Sequence, residues 1–359
     1  MEIGKLFNLN EFYFNDNLSL SLPPEIRGKG FREIINFYRQ QLEQKTDRIY
    51  EAKLLIIGEG GAGKTTLAKK IQSSDYPLQD EDSTQGIDVI KWQFMLDNDK
   101  EFRVNIWDFG GQEIYHTTHQ FFLTKRSLYA LVVDTRKEDT DFYYWLNVVE
   151  LLSNNSPLLI IKNEKEERQR EIDERQLRGE FTNLKETLSS NFATQRGLPE
   201  ILKQIKHHIS NLPHVGTELP KTWVKVREAL EQESRNYITL EEYLNLCEHN
   251  GFTRREDKLQ LSGYLHDLGV CLHFQEDELL METVIIQPAW GTDAVYKVLD
   301  NPLVIHNQGR FTRDDLKQIW HEQKYATMQP ELLRLMMNFK LCYEIPNVPK
   351  TYIAPQLLT

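Results

Sequence analysis

Leu54-Leu55-Ile56-Ile57-Gly58-Glu59-Gly60-Gly61-Ala62-Gly63-Lys64-Thr65-Thr66-Leu67-Ala68-Lys69-Lys70-Ile71 reads as a strand, a glycine-rich loop and a helix in one run. Gly58 to Thr65 fit the pattern of a Gly, four free positions, then Gly-Lys-Thr, which cradles a phosphate chain. Gly58, Gly60, Gly61 and Gly63 permit tight turns, so successive N–H groups around Ala62 can aim at one chain of phosphates. Lys64 supplies a positive charge to the terminal phosphates and Thr65 a hydroxyl to Mg²⁺. Thr66 completes the cradle where the helix starts.

The chain has 359 residues, 40% of them hydrophobic, enough for the cores of two or three domains. Lys and Arg number 43 against 54 Asp and Glu, a formal charge of −11. That balance argues against wholesale electrostatic binding to nucleic acid or an anionic membrane. Cys247, Cys271 and Cys342 are scattered and odd in number, so neither a disulfide framework nor a cysteine metal site follows. The longest apolar runs, such as Leu128 to Val133, are strand-sized. The N-terminus opens without a secretory apolar segment. The expectation is a cytoplasmic protein or a piece of one.

Leu9, Phe12, Phe14 and Asn17 occupy leucine-rich-repeat spacing, which predicts residues 1–26 as the end of a longer array. Phe31, Ile34, Ile35, Tyr38 and Leu42 follow helical spacing, giving a connector over 27–50. From 51 to 213 strand and helix signals alternate. Strands are expected at 53–57, 89–96, 102–107, 128–133 and 158–161, and helices at 65–72, 142–152, 175–189 and 198–209. This is an α/β sheet with helices on both faces. His214 to Pro220 reads as a linker. Beyond it, helices near 223–233, 240–249, 258–268, 289–299, 314–320 and 331–339 alternate with short strands at 270–274, 283–287, 341–345 and 352–353. Thr239 with Glu242 and Thr312 with Asp315 are helix-start capping pairs. The region 214–359 is therefore expected to be a winged-helix-like α+β module, and its non-basic helix Lys258–Asp267 suits protein contact better than DNA.

The remaining site residues narrow the class. Asp108-Phe109-Gly110-Gly111-Gln112-Glu113 follows an apolar strand. There Asp108 can hold the Mg²⁺ shell, the Gly111 N–H can contact a terminal phosphate, and Gln112 can orient a water for in-line attack. Thr84, in Thr84-Gln85-Gly86-Ile87-Asp88, can coordinate Mg²⁺ only while the terminal phosphate is present, making its loop an order–disorder switch. Catalytic roles are thus expected for Gln112, Lys64 and Thr84, and metal roles for Thr65, Thr84 and Asp108.

These two segments resemble the switches of Ras-like small GTPases, and Trp107-Asp108-Phe109-Gly110-Gly111-Gln112-Glu113 resembles the Roc domain of Roco proteins. Leu219-Pro220-Lys221-Thr222-Trp223, Tyr264-Leu265-His266-Asp267-Leu268-Gly269 and Gln287-Pro288-Ala289-Trp290 resemble the COR domain that follows Roc. The fold implied is a Ras-like P-loop GTPase domain (51–213) followed by a winged-helix-like α+β COR subdomain (214–359). The resemblance implies GTP and GDP as ligands, Mg²⁺ as cofactor, and slow conversion of GTP and water to GDP and phosphate. It also implies protein partners through COR and leucine-rich repeats, a homodimer for the full-length protein and a monomer for this length of chain. The chain stops at Gln356-Leu357-Leu358-Thr359, so the C-terminal half of COR and any kinase domain are expected to be absent from a truncated piece.

Ras-like proteins read guanine with Asn-Lys-x-Asp; here Lys162-Asn163-Glu164-Lys165-Glu166 keeps the asparagine, with Glu164 for the lysine and Glu166 for the aspartate. Ala193, in Phe192-Ala193-Thr194, stands in the last base-contact loop. Glu166 can accept the bonds that guanine donates, and loss of the lysine stem predicts modest affinity. His116 and His119 fit a switch surface better than a metal site. Arg126 and Arg136 are candidates for a charge-neutralising finger but read first as ordinary surface residues. Besides the GTPase switch, two readings stay open: a nucleotide-gated scaffold with little turnover, and a regulatory module of a larger protein kinase.

Overall fold

The computed structural model describes Ile26 and residues 30–43, 46–79, 87–97, 99–110, 127–137, 140–153 and 155–358. The expected leucine-rich segment before Ile26 lies outside the described residues, as do Thr84, Gly111, Gln112, His116, His119 and Arg126. Two compact units form, each from discontinuous pieces: Met1–Glu51 with Asn211–Gln287, and Ala52–Ser210 with Pro288–Thr359.

The second unit is built on a six-stranded sheet. Its strands are β1 (Glu51–Ile57), β2 (Ile87–Met95), β3 (Glu101–Phe109), β4 (Ser127–Asp134), β5 (Leu158–Asn163) and β6 (Leu184–Ser190), in the order β2-β3-β1-β4-β5-β6. β4 runs parallel to β1 and to β5, and β5 parallel to β6, whereas β2 and β3 are antiparallel. Every residue of β1 and β4 is buried, as a strand covered on both faces requires. Helix Leu198–Ser210 presents Ile201, Ile205 and Ile209 to the core at four-residue spacing. The register sets Asp134 beside Asn163 and Asn163 beside Ser190, so the segments leaving these strands share one edge of the sheet with the loop after Ile57. That edge, at the carboxyl ends of parallel strands, is where open α/β sheets take their ligands. Helix Pro288–Leu299 of the same unit packs against β2.

Four expectations are corrected here. The helix expected over 175–189 ends at Glu180, and Leu184–Ser190 is instead the sixth strand. As an edge strand it buries only Leu184 and Ser190, so period-two patterning is weak and Leu, Lys and Glu read as helix formers. β3 extends through Phe109, which puts Asp108 inside the strand, paired across from Asp88, rather than after its end. Residues 270–274 form no strand beyond an isolated bridge between Leu272 and Ile285. The expected linker closes with a strand, Glu218–Pro220, which pairs with Thr46–Arg48 and buries Leu219 completely. Two short helices, Pro302–His306 and Gln323–Ala326, were not expected.

The first unit gathers helix Phe31–Glu43 with helices Lys221–Glu231, Leu240–His249 and Arg255–Asp267 around one apolar cluster. Phe37 meets Trp223 edge-on at 5.5 Å, and Trp223 meets Tyr264 at 5.1 Å. Leu42, expected on the apolar face of the connector, is exposed, and Phe37 takes that role. Thr239 and Thr312 both form reciprocal capping boxes with Glu242 and Asp315.

Candidate nucleotide site

Gly58, Gly61 and Gly63 adopt φ of 133°, 75° and 102°, values that side-chain-bearing residues avoid. A Cβ on Gly58 would sit 2.3 Å from the Val132 carbonyl oxygen, and one on Gly63 would sit 2.7 Å from Asn163 Nδ2. The carbonyls of this loop are taken up one after another by cationic or amide side chains. Lys64 Nζ donates to Gly58 O at 2.9 Å and Glu59 O at 2.8 Å. Lys137 Nζ donates to Gly60 O at 3.1 Å, Lys165 Nζ to Gly61 O at 2.5 Å, and Asn163 Nδ2 to Ala62 O at 2.9 Å. In a trans peptide the next residue's N–H points opposite its carbonyl, and no peptide here is cis. The Ala62 N–H, which follows Gly61 O, donates back to Glu59 O at 3.3 Å, so the loop also closes on itself.

Lys64 is buried at the start of helix Lys64–Gln72. Burial pushes its ammonium down to about 8, opposed by the Asp108 and Glu59 carboxylates and reinforced by Lys137. Asp108 is fully buried. Thr65, on the first turn of the helix, is half-buried. A hydroxyl and a carboxylate beside a lysine suit a hard cation that takes its other ligands from phosphate oxygens and water. Among the described residues no group of three or more His, Cys, Asp or Glu could hold a metal by itself.

Asn163 ends β5, buried, with its Oδ1 accepting from Phe192 N at 3.5 Å. Phe192 closes over Gly63, its ring 3.2 Å from where a Cβ would lie. Glu164 turns from the loop to Arg196 at 2.6 Å. One residue later, Lys165 donates to Gly61 O at 2.5 Å. A turn spans Lys165–Glu167, with Glu166 and Glu167 at φ of 55° and 56°. The Glu166 carboxylate accepts from Arg136 at 2.7 Å, while Glu167 accepts from Asn191 Nδ2 at 2.8 Å and pairs with Arg196 at 3.1 Å. The Ala193 N–H donates to Asn191 Oδ1 at 2.9 Å. Arg136 is held by Asp134 at 2.9 Å as well as by Glu166. Although burial works against it, Arg136 and Lys165 hold the Asp134 carboxyl below its ordinary range. Lys137 and Lys165 are two residues the sequence reading passed over; a second lysine beside the expected position was the one available signal for Lys165.

Two family models match the chain: "Ras of Complex, Roc, domain of DAPkinase" over residues 53–166, and "C-terminal of Roc, COR-A domain" over residues 220–358. A solved structure of Methanosarcina barkeri Roco2 RocCORdC bound to GDP is 35% identical, with a TM-score of 0.78, and the match covers 89% of this chain and all of that one. The chain belongs to the Roco family. Its Roc portion is a Ras-like GTPase domain, and COR-A follows it. The probable serine/threonine-protein kinase pats1 of Dictyostelium discoideum is 24% identical over 96% of this chain, and a Roc-COR-CHAT protease of Runella zeae 27% identical over 87%. The chain spans 12% and 36% of the lengths of these two relatives. No helix among the described residues is long and apolar enough to cross a membrane.

Proposed function

We propose that this Roc–COR chain is a guanine-nucleotide switch that hydrolyses GTP slowly and passes its nucleotide state to COR. The observation that carries the reading is the loop Gly58–Ala62, whose carbonyls are all held by Lys64, Lys137, Lys165 and Asn163, ahead of the first turn of helix Lys64–Gln72. Phosphates placed there meet aligned N–H donors together with the N-terminal end of helix Lys64–Gln72. Thr65, Thr84 and Asp108 would hold Mg²⁺, which would supply charge neutralisation at the transferred phosphate. Gln112 orients the attacking water, and slow turnover is the expectation for a glutamine acting without a general base.

On the base side, Asn163 and Lys165 fix the loop through Ala62 O and Gly61 O, and the Lys165 stem would pack on a bound purine. Glu166 and its neighbour Glu167 are the carboxylates that can accept from guanine N–H groups, and Ala193 lies on the adjoining loop. The GDP-bound Methanosarcina barkeri relative supports guanine as the base. Helix Pro288–Leu299 packs on β2, the strand that begins three residues after Thr84, which gives COR a direct route to that loop's order. Relatives named as a kinase and as a protease carry the same pair of domains, which supports a control module serving different outputs, with partners bound through COR.

Competition of GTP against ATP, with single-turnover phosphate release, tests the reading. GTP preferred by at least about tenfold, and release slowed by Gln112→Leu, are expected. Equal affinities would remove the guanine assignment, and binding without any release would leave a nucleotide-gated scaffold.

A further inference from the structure

We propose that Lys137 is a catalytic cation supplied in cis, which neutralises the charge that builds on the terminal phosphates during GTP hydrolysis. This rests on the GTPase reading above and assigns one further residue to it.

Three ammonium groups lie along the phosphate loop, and two have evident roles. Lys64 enters from the helix side onto Gly58 and Glu59, and Lys165 from the base side onto Gly61. Lys137 lies between them, 3.1 Å from Gly60 O and 3.9 Å from a Glu59 carboxylate oxygen. Its backbone is fixed rather than trailing: Lys137 N donates to Asp134 O at 3.0 Å, and Arg170 holds Lys137 O at 2.6 Å. Its side chain is 45% exposed, so the ammonium can move between the Gly60 carbonyl and a phosphate oxygen without leaving a buried site. The neighbouring Arg136 is committed to Asp134 and Glu166 and points its charge at carboxylates. Of the two consecutive cations, only Lys137 reaches the phosphate loop.

In the hydrolytic step, water oxygen bonds to the γ-phosphorus as the bond to the β,γ-bridging oxygen breaks. That oxygen leaves with the electron pair, and the water's proton ends on the released phosphate. Lys137 transfers nothing; it stays an ammonium and stabilises the negative charge gathering on the bridging and γ oxygens, as a finger residue does.

The test compares the wild-type chain with Lys137→Gln and Lys137→Arg under saturating Mg²⁺-GTP. Single-turnover phosphate release is measured alongside GDP affinity and capture of GDP with aluminium fluoride. Lys137→Gln is expected to slow release by at least about tenfold, to weaken aluminium fluoride capture in step, and, since Lys137 also donates to Gly60 O, to cost some GDP affinity but several-fold less than it costs the rate. Lys137→Arg restores most of the rate. A Lys137→Gln rate equal to wild type overturns the assignment. So does a parallel loss of rate and GDP affinity, which would make Lys137 only a pin for the loop, and so does an arginine variant as slow as the glutamine one. Absence of phosphate release from the wild-type chain overturns the GTPase reading itself, and this assignment with it.

Discussion

At the scale of single residues, Gly61 and Gly63 have the same backbone constraint and different surroundings. Both have positive φ, but a Cβ on Gly61 meets nothing within 4 Å, whereas one on Gly63 meets Asn163 and Phe192. Gly61→Ala should therefore cost only backbone strain, about 1–2 kcal/mol. Gly63→Ala should add displacement of Asn163 from the Ala62 carbonyl and lower nucleotide affinity by more than about tenfold beyond the Gly61 variant. Calorimetric Kd values and thermal melts separate the two, and equal losses at both positions would contradict the account. Lys165→Ala should likewise weaken binding by about tenfold or more, since it removes a charged hydrogen bond from Gly61 O; an affinity unchanged in the same titration would return the lysine's role to surface solvation. The phosphate loop was legible because its spacing is fixed by the phosphate chain it wraps. Lys165 was not, because counting from Asn163 points to position 164, whose side chain goes to Arg196 while the next residue reaches the loop.

Among elements, legibility follows burial. Central strands β1, β4 and β5 each carry a run of four or more apolar residues and were expected to within two residues at each end, whereas edge strand β6 was taken for helix. A strand solvated on one side has no apolar pattern strong enough to override helix-favouring Leu, Lys and Glu. Capping boxes are readable because they are local. Thr239→Ala should cost about 1 kcal/mol of stability, read from urea melts, while an unchanged midpoint would show that the box at Leu240–His249 carries no load. β1 also holds an unusual group. Lys53 is fully buried with its ammonium 3.6 Å from the Trp107 ring centroid, and burial pushes it down to about 7. An unfolded lysine keeps its proton until about 10.5, so between about pH 7 and 10.5 the unfolded state binds more protons and stability rises with pH. Lys53→Met should remove that rise and raise stability at pH 6 by at least about 1 kcal/mol. Melts of both proteins across this window with parallel pH profiles would rule the effect out.

For the molecule as a whole, the consequential feature is that helix Phe31–Glu43 shares its core with residues far along the chain. Ile34, Phe37 and Tyr38 lie in one cluster with Trp223, Leu261 and Leu265. Polar contacts join the same pieces: Trp223 Nε1 donates to Gln40 Oε1 at 2.7 Å, and Arg39 pairs with Asp257 at 3.0 Å. Reading along the chain shows an amphipathic connector here but not its partner, because the partner lies about 180 residues away and periodicity carries no address. The helix is thus a structural part of the unit formed with Asn211–Gln287. Phe37→Ala removes a fully buried ring that packs on Trp223, and should cost about 3–5 kcal/mol. Because the loss falls on a shared core, hydrogen exchange should accelerate in Arg255–Asp267 as much as in the helix that carries the substitution, with the amides of β4 and β5 measured alongside as reference. If only residues 31–43 lost protection while those around Leu261 and Leu265 kept theirs, the helix would be an appendage lying on a complete domain, and its place in the core would have to be withdrawn.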